Sequence, residues 1–486
     1  MIFYFVVCRQ QNKTPYCRVV NFSKTKIVLI GLGPHSKRIY YPFIEKATKT
    51  GGKFSILVEL ESKKQDVFEY LKNKEIKPQE IIFIPDSEQV TPKKIDSGLK
   101  IKLDKYIKKF EITHAVIATE PKAHKIYLDY FICNQIPCLV DKPITSPIGL
   151  SYNKESSNVL MQETKELLEK SYTYNTPIYV QVQRREHPAY IYLFNSLKKV
   201  IEDYEVPITY FNIYHSDGTW SMPSEYFTRE NHPYKYGYGK LMHSGYHFVD
   251  IVSWIINTNK VLYDSILAET KTKFLLPSEH YRQINGKKLY KKIFDKTTQN
   301  FAESKLGEID AYIDFSLFGV KNRKKNIITN GHLDLLQSGF SKRQSFEIAK
   351  DTYKGNGRVR HEFININIGP LLNAQLHSYQ SEQLTKGNLF GVGGEEHLDL
   401  YLFRNNKIIG GKPLEIIDFG KLINRQNNKS EVYFGQNEQS RYEIFKKFIN
   451  KEQSDVIIEK QMTTNQLLSS IYKSFLKKEG VLTKIK

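Results

Sequence analysis

A short glycine-containing turn near the start of the chain has the residues needed to cradle phosphate groups. It follows an apolar run at 26–30, which predicts a β-strand, and it consists of Gly31, Leu32, Gly33, Pro34, His35 and Ser36. The first glycine allows a tight turn, and the second lets the backbone approach a diphosphate closely. Pro34 suits the first position of a helix, whose amide groups would face the phosphates. Ser36 stands where the dinucleotide fingerprint has a third glycine. The turn predicts dinucleotide binding, with a purely structural strand-to-helix turn as the alternative.

A carboxylate at the end of the second predicted strand indicates which dinucleotide, NAD or NADP, the turn would bind. Glu59 closes the apolar run 54–60. A carboxylate at this position can accept hydrogen bonds from a ribose diol and would repel a 2′-phosphate, which favours NAD over NADP. The neighbouring Lys63 and Lys64 keep NADP open. A solvated glutamate at a strand end is the alternative interpretation.

Two further groups of polar residues stand at or just after the carboxyl ends of predicted strands. The strands are 113–119 and 137–143, and the residues are Thr119, Glu120, Pro121 and His124 for the first and Asp141, Lys142 and Pro143 for the second. Ligands of open α/β sheets bind at the carboxyl ends of the strands. A lone lysine is usually a surface residue. Because Lys142 directly precedes a proline at this edge, we expect it to act on a ligand.

A fourth group lies on a segment that predicts a long apolar helix, Leu241–Asn257. His243, His247, Asp250 and Trp254 recur at helical spacing and form one stripe on it. Because a mostly apolar helix is buried, its polar stripe must meet partners or line a cavity. Histidines four residues apart are also half of a zinc site, but no HExxH motif or cysteine pair accompanies them. Core histidines bound to the backbone are a further alternative, and we expect no metal.

The arrangement of predicted elements indicates an α/β protein with two sheets. Strands alternate with helices from 26 to about 143, which predicts a doubly wound parallel sheet. After about Ser146, longer alternating stretches such as 309–318 and 362–368 predict a large antiparallel sheet with one covered face. The predicted division is an extension at 1–23, a dinucleotide-binding domain at 24–146 and an α+β domain at 147–486.

The motifs, taken in order, resemble the Gfo/Idh/MocA family of oxidoreductases, the glucose–fructose-oxidoreductase- and inositol-dehydrogenase-like enzymes. The resemblance rests on GxGxxS, ATEP with its following histidine, DKP and GYGKLMHSGYHFVD, and it covers about 26 to 247 well. It implies a Rossmann domain that binds NAD or NADP. It also implies that the open, mostly antiparallel sheet domain binds substrate and is the surface of self-association.

The resemblance also assigns roles to individual residues. The family's Glu-Lys-Pro motif matches Asp-Lys-Pro here, so Lys142 takes the position of the catalytic lysine. His247 matches the histidine of the family's helix, but His243 stands where the family usually has an aspartate, which leaves the proton relay and the substrate open. The stretch that borders the substrate pocket in the family carries Arg184 and Arg185, although a surface arginine pair is an alternative.

The implied reaction is hydride transfer between nicotinamide and a secondary hydroxyl or keto carbon of a sugar, cyclitol or sugar derivative. His247 would take the hydroxyl proton while Lys142 orients the oxygen, or a neutral Lys142 would be the base. Two alternatives stay within the fold. One is an NAD-dependent glycosidase, which oxidises and re-reduces its substrate, and the other is a catalytically silent dinucleotide-binding regulator with a protein partner.

Composition narrows the class of protein. Hydrophobic residues make up 40% of the 486 residues, which is enough for sizeable cores and excludes general disorder. The four cysteines are far too few for a disulfide scaffold. No apolar run approaches the roughly 20 residues of a membrane helix. The sequence therefore predicts a cytoplasmic protein without a membrane partner.

The chain is strongly basic, with 72 basic and 52 acidic residues and a net charge of +20. The lysines are spread along the chain and form no tract of five or more, which disfavours nucleic acid as a partner. We expect a sugar-like small molecule and further copies of the chain as partners.

Overall fold

Two β-sheets, one parallel and one mostly antiparallel, organise the chain. The computed structural model describes residues 22–86, 95, 97–296, 305–347, 357–381, 397–419 and 436–485. The predicted N-terminal extension lies almost wholly outside the described residues. None of the described helices combines the length and apolar character that a membrane span requires.

In the part of the chain that the structure describes, the first sheet has six strands, all parallel. They are β1 (Lys26–Ile30), β2 (Lys53–Leu60), β3 (Glu80–Ile84), β4 (His114–Ile117), β5 (Cys138–Val140) and β6 (Ile178–Val180). Their order is β3-β2-β1-β4-β5-β6, so the chain changes winding direction between β1 and β4. This switch point opens a crevice at the carboxyl ends of the strands, where such sheets bind ligands. The predicted doubly wound parallel sheet is confirmed. The sheet also takes in β6 from beyond residue 146, and the domain boundary stays a prediction.

The helices of this part of the chain are α1 (Pro34–Arg38), α2 (Tyr40–Lys49), α3 (Lys64–Lys72), α4 (Ser97–Phe110), α5 (His124–Cys133) and α6 (Lys154–Thr173). Helix α4 was not predicted from the sequence. Its segment is rich in lysine, and only Leu99 and Leu103 are buried, so its apolar stripe is narrow. With so few apolar residues among the charged ones, the helical periodicity of this segment is weak.

Within the described ranges, the second sheet has nine strands and one covered face. They are β7 (Tyr210–Ser216), β8 (Ser265–Leu275), β9 (Asp310–Lys321), β10 (Lys324–Leu336), β11 (Val359–Ile368), β12 (Leu372–Ser381), β13 (His397–Arg404), β14 (Leu414–Asp418) and β15 (Val481–Ile485). All neighbours are antiparallel except β7 and β10. Buried and partly exposed residues alternate along β7 and β11, because successive side chains point to opposite faces. The predicted open, mostly antiparallel sheet is confirmed.

The remaining helices are α7 (Pro188–Tyr204), α8 (Glu225–Thr228), α9 (Tyr246–Asn259), α10 (Pro277–Gln283), α11 (Gly286–Phe294), α12 (Asn406–Ile409), α13 (Gln436–Ile449) and α14 (Met462–Lys477). The predicted start of the long apolar helix at Leu241 is wrong. Turns occupy 241–245, and the amide of Gly245 bonds the carbonyl of Lys240 at 2.9 Å. His243 therefore lies in a turn before α9 rather than on the helix.

A buried carboxylate holds this turn in place. One Glu308 oxygen accepts hydrogen bonds from the Leu241 amide (2.9 Å) and the Tyr472 hydroxyl (3.0 Å). The other accepts from the Ser151 hydroxyl at 2.6 Å. The backbone carbonyl of Glu308 accepts from the Lys240 amide at 2.8 Å. The path of the turn is therefore set by a side chain from a distant part of the sequence.

We expect Glu308→Ala to lower the free energy of unfolding by at least about 3 kcal/mol, because three buried donors lose their acceptor. Chemical denaturation monitored by circular dichroism measures the change. Glu202→Ala is the control, because Glu202 is an exposed partner of Lys198 on α7 and its loss should cost less than about 0.5 kcal/mol. Equal losses in the two variants would contradict the proposed support of the turn.

Candidate functional site

A cavity of about 350 Å³ lies at the carboxyl ends of the parallel strands. Segments 30–37, 118–123 and 141–143 form one side, and segment 230–238 with residues 242–243 forms the other. The predicted site residues that line it are Gly31, Gly33, Pro34, His35, Ser36, Glu59, Thr119, Glu120, Pro121, Asp141, Lys142 and His243. Those that do not are His124, Arg184, Arg185 and His247. The structure thus brings most of the predicted residues to one place.

The two glycines of the turn differ in what they accommodate. Gly31 has a φ of +91°, and a Cβ there would lie 2.8 Å from the carbonyl oxygen of Ala118, so only glycine fits. A Cβ on Gly33 would meet nothing within 4 Å. The backbone at Gly33 is therefore open to the cavity, and a ligand can approach it directly.

Glu59 supports this turn from the end of β2. One of its carboxylate oxygens accepts from the Leu32 amide at 2.5 Å, and the other accepts from the Leu60 amide at 2.9 Å. Across the cavity opening, Lys63 forms an ion pair with Glu230 at 3.0 Å. One lysine that would suit a 2′-phosphate is thus already engaged with a carboxylate.

Asp141 is held by two groups from the other side of the glycine turn. Its Oδ1 accepts from the Tyr40 hydroxyl at 2.8 Å, and His35 Nε2 lies 3.5 Å from the same oxygen. Burial opposes ionisation, but His35 and Lys142 hold the pKa of this carboxyl well below its usual range. Asp141 is therefore ionised beside Lys142.

His124 links the ends of two strands instead of facing the cavity. Its ring is fully buried, with Nδ1 2.8 Å from the Pro143 carbonyl oxygen and Nε2 3.0 Å from that of Thr119. Burial lowers the pKa of the ring, so it is neutral and donates to only one of these oxygens at a time. His124, expected to bind the cofactor, instead contacts the backbone of Thr119 and Pro143, two residues that line the cavity.

Lys142 joins the parallel sheet to the turn before α9. Its Nζ donates to the backbone carbonyl of His243 at 3.0 Å. The His243 ring is 6% exposed and packs against the rings of His232, Tyr234 and Tyr238 at 4.9, 5.3 and 6.0 Å between centroids. Among the described residues, neither ring nitrogen has a hydrogen-bond partner. Burial, then Arg229 and Lys142, lower the pKa of this ring well below its usual range, so it is neutral at pH 7.

His247 lies on α9 and is buried behind the cavity wall. Burial, followed by Arg184 and Lys142, lowers the pKa of its ring well below the usual range. The ring therefore lies within electrostatic reach of Lys142 although it does not line the cavity. Across the described ranges, no group of three or more histidine, cysteine or acidic side chains is arranged to hold a metal ion.

The predicted arginine pair is buried in ion pairs and is not a surface pair. Arg184 donates to Glu362 at 2.7 Å and lies over the Phe248 ring. Arg185 donates through two nitrogens to Asp250, at 2.8 and 2.9 Å. Asp250, expected on the polar stripe, is thus a partner inside the core. Both arginines meet carboxylates rather than the cavity.

Several lining residues were missed by the sequence analysis, chiefly those of segment 230–238. The signal was available at the start of the GYGKLM motif and just before it, where a histidine and a proline are followed by tyrosines; the lining residues among them are His232, Pro233, Tyr236 and Tyr238. Glu120 was predicted, but its environment was not. Burial raises the pKa of this carboxyl to about 7, against the effect of Lys122 and Lys235.

A smaller recess of about 10 Å³ adjoins the inner end of the cavity and shares His232 and His243 with it. It is lined by Asp217, Thr219, Arg229, His232, Tyr234, Lys240, His243, Ser244 and Gln337. This volume holds about one water-sized group.

Comparison with known proteins shows the fold. No family model matches the sequence, and no curated protein matches it. The WlbA dehydrogenase from Bordetella pertussis, solved with NADH and UDP-GlcNAcA, is 11% identical with a TM-score of 0.54, over 95% of this chain and 100% of that one. An aldose-aldose oxidoreductase from Caulobacter crescentus, solved with glycerol, is 10% identical with a TM-score of 0.53. The match covers 94% of this chain and 99% of that one. An oxidoreductase from Agrobacterium radiobacter, solved with NAD+, L-tartaric acid and magnesium, is 12% identical with a TM-score of 0.52. The match covers 94% of this chain and 98% of that one. The chain shares their fold along nearly its whole length.

We expect Asp250→Ala to lower the free energy of unfolding by about 3–5 kcal/mol, because it leaves the buried Arg185 guanidinium without its carboxylate. Asp203→Ala is the matched control, because Asp203 pairs with Lys199 on the surface of α7 and its loss should cost less than about 1 kcal/mol. Urea unfolding of both variants measures the difference. A small effect at position 250 would mean that Arg185 does not depend on this pair.

Proposed function

We propose that this chain is an NAD(P)-dependent oxidoreductase that transfers a hydride between nicotinamide and a secondary hydroxyl or keto carbon of a sugar, cyclitol or sugar derivative. One observation carries the proposal. The glycine turn and Lys142, which come from separate strand ends, line the same cavity at the switch point of the parallel sheet. Solved structures of the same fold with NAD+ or NADH support it.

The residues present fit a dinucleotide. A side chain at Gly33 would fill open space next to the backbone, which is what a diphosphate needs to approach. Residues 31–36 would hold the diphosphate, and Glu59 has oxygen lone pairs beyond those used by the Leu32 and Leu60 amides to accept from a ribose. Because Lys63 is paired with Glu230, the proposal favours NAD over NADP.

A bound nicotinamide would accept or supply the hydride. Lys142, held by the His243 carbonyl, would donate to the substrate oxygen and stabilise the negative charge that develops there. A ring nitrogen of His243 would accept the hydroxyl proton, since neither nitrogen has a hydrogen-bond partner among the described residues. The proposal thus transfers the expected role of proton acceptor from His247 to His243, because only His243 lines the cavity.

The proposal includes self-association through the uncovered face of the second sheet. Aromatic and histidine side chains follow one another across neighbouring strands there. His361 stacks on Tyr379 at 4.2 Å, and Tyr379 contacts His397 at 5.0 Å between ring centroids. A broad, partly aromatic face of this kind suits contact with a second copy of the chain.

We expect Lys142→Ala to lower turnover at least about 100-fold, because the charge that stabilises the substrate oxygen is lost. NADH binding, followed by its fluorescence, should change by less than about threefold. Turnover is measured as NADH formation with NAD+ and a panel of sugars and inositols. The control is Lys198→Ala, an exposed lysine on α7 that should keep wild-type rates. Wild-type rates in the Lys142 variant would refute the mechanism.

Two glycine variants separate folding from dinucleotide binding. Gly33→Ala should leave the melting temperature unchanged or slightly higher, because the new Cβ meets no protein atom. It should weaken NADH binding at least about tenfold, because the methyl group occupies the approach of the diphosphate. Gly31→Ala should lower the melting temperature, since the φ of +91° and the Ala118 carbonyl oppose a side chain. Unchanged NADH affinity in Gly33→Ala would argue against a dinucleotide at this turn.

A further inference from the structure

Glu120 places a carboxyl group in the cavity, and the reaction proposed above does not use it. The residue follows β4, and part of its surface borders the cavity. Its carboxyl acts electrostatically on the hydroxyls of Tyr236 and Tyr238, which line the opposite side of the cavity. The carboxyl group therefore faces the space between the two sides, where a ligand can reach it.

The order of the strands places Glu120 between the glycine turn and Lys142. The turn follows β1, Glu120 follows β4 and Lys142 follows β5, and these three strands are neighbours in the sheet. The residue before Glu120 adjoins the turn, since a Cβ on Gly31 would lie 3.0 Å from Thr119 Cγ2. Lys142 acts electrostatically on Glu120 from the other side. A dinucleotide that extends from the turn toward Lys142 would therefore pass Glu120 with its nicotinamide half.

The nicotinamide half of a dinucleotide has two kinds of hydrogen-bond donor. One is the NH2 group of the carboxamide, and the other is the pair of ribose hydroxyls. The ribose lies between the diphosphate and the nicotinamide ring, so it would stay closer to the glycine turn. Because Glu120 stands beyond the residues that adjoin the turn, its position favours the carboxamide. An ionised carboxylate only accepts hydrogen bonds, which suits an NH2 group.

The charges around Glu120 determine how the site would treat an acidic ligand. Burial raises the pKa of this carboxyl to about 7, against the effect of Lys122, Lys235 and Lys142. The carboxyl is therefore mostly ionised at pH 8. The three lysines by themselves would attract a ligand carboxylate. Glu120 would repel a carboxylate that took the place of the carboxamide, so it is the group able to exclude an acid there.

We propose that the Glu120 carboxylate accepts a hydrogen bond from the carboxamide NH2 of nicotinamide and makes the site selective for NAD over its deamido analogue, which is an acid. This inference rests on the proposed function. A bonded carboxamide would also fix the rotation of the nicotinamide ring beside Lys142. Glu120 is thus a specificity-determining residue that contacts the cofactor and takes no proton from the substrate.

The test is isothermal titration calorimetry of the full chain at pH 8 with three probes, NAD+, deamido-NAD+ and ADP-ribose. Deamido-NAD+ has a carboxylate in place of the carboxamide, and ADP-ribose lacks nicotinamide. We expect the wild type to bind NAD+ at least about tenfold more tightly than deamido-NAD+. Glu120→Gln should lose this preference, because its amide oxygen still accepts a hydrogen bond but the repelling charge is gone. Glu120→Ala should weaken NAD+ binding at least about threefold, because the acceptor is lost.

Binding of ADP-ribose shows whether these effects concern the carboxamide. Both Glu120 variants should bind this probe within about threefold of the wild type, since it has no carboxamide to lose. Glu202→Gln is the control, because Glu202 is an exposed partner of Lys198 on α7 and its substitution should keep the preference for NAD+. Melting temperatures establish that the variants are folded, and removal of a buried charge at position 120 should not lower them.

Equal binding of NAD+ and deamido-NAD+ by the wild type overturns the inference, as does an unchanged preference in Glu120→Gln. Weaker ADP-ribose binding in Glu120→Ala would mean that Glu120 contacts the ribose, and it overturns the inference as well. In each of these cases a dinucleotide still binds, so the proposed function stands. A chain that binds none of the three probes refutes the proposed function and this inference with it.

Discussion

The hydrogen bond from the Lys142 ammonium to the backbone oxygen of His243 is the contact on which the site depends. It joins the end of β5 to the turn before α9, which lies 101 residues later in the chain. Because the acceptor is a backbone carbonyl, the contact leaves the imidazole ring itself available to the cavity. A cation and an imidazole ring are thereby placed next to each other in the lining of the cavity.

Buried carboxylates support this wall from behind. Glu308 holds the turn that carries His243, and Asp250 and Glu362 hold the two arginines under α9. A carboxylate inside a protein is stable only when donors satisfy it, and each of these has at least two. The geometry of the site therefore relies on polar contacts that bridge distant segments, which makes it sensitive to changes far from the cavity.

The positive charges of the chain differ in their surroundings, since some are exposed and others are buried. Lysines such as Lys198 and Lys199 are exposed on α7, where they form ion pairs of little energetic consequence. A few cations, among them Lys240 and Arg229, are instead buried beside the inner end of the cavity. There the low dielectric strengthens their effect on a bound group. Overall charge is thus a poor guide to ligand chemistry, and the position of individual cations is a better one.

The glycine turn and both sheets followed from the sequence because they depend on local features. Continuous apolar runs indicate the strands of the first sheet, and alternating apolar residues indicate those of the second. Gly31 needs its glycine because of its own φ and the neighbouring strand. The predicted helical conformation of 241–245 was wrong because a contact with a distant residue determines the conformation there. Leu241 and His243 continue the residue spacing of the following helix, but Glu308, 67 residues beyond Leu241, binds the amide of Leu241 and holds the segment as a turn.

The sequence by itself determined the fold class, the phosphate-type turn and the presence of Lys142 at a strand end, since each is encoded within a few neighbouring residues. Only the tertiary structure decided which polar side chains reach the cavity. Arg184 and Arg185 looked equivalent to ligand-binding arginines, yet each meets a carboxylate 178 or 65 residues away. A buried charge is neutralised by whatever packing places beside it, and that neighbour is set by the folded chain as a whole.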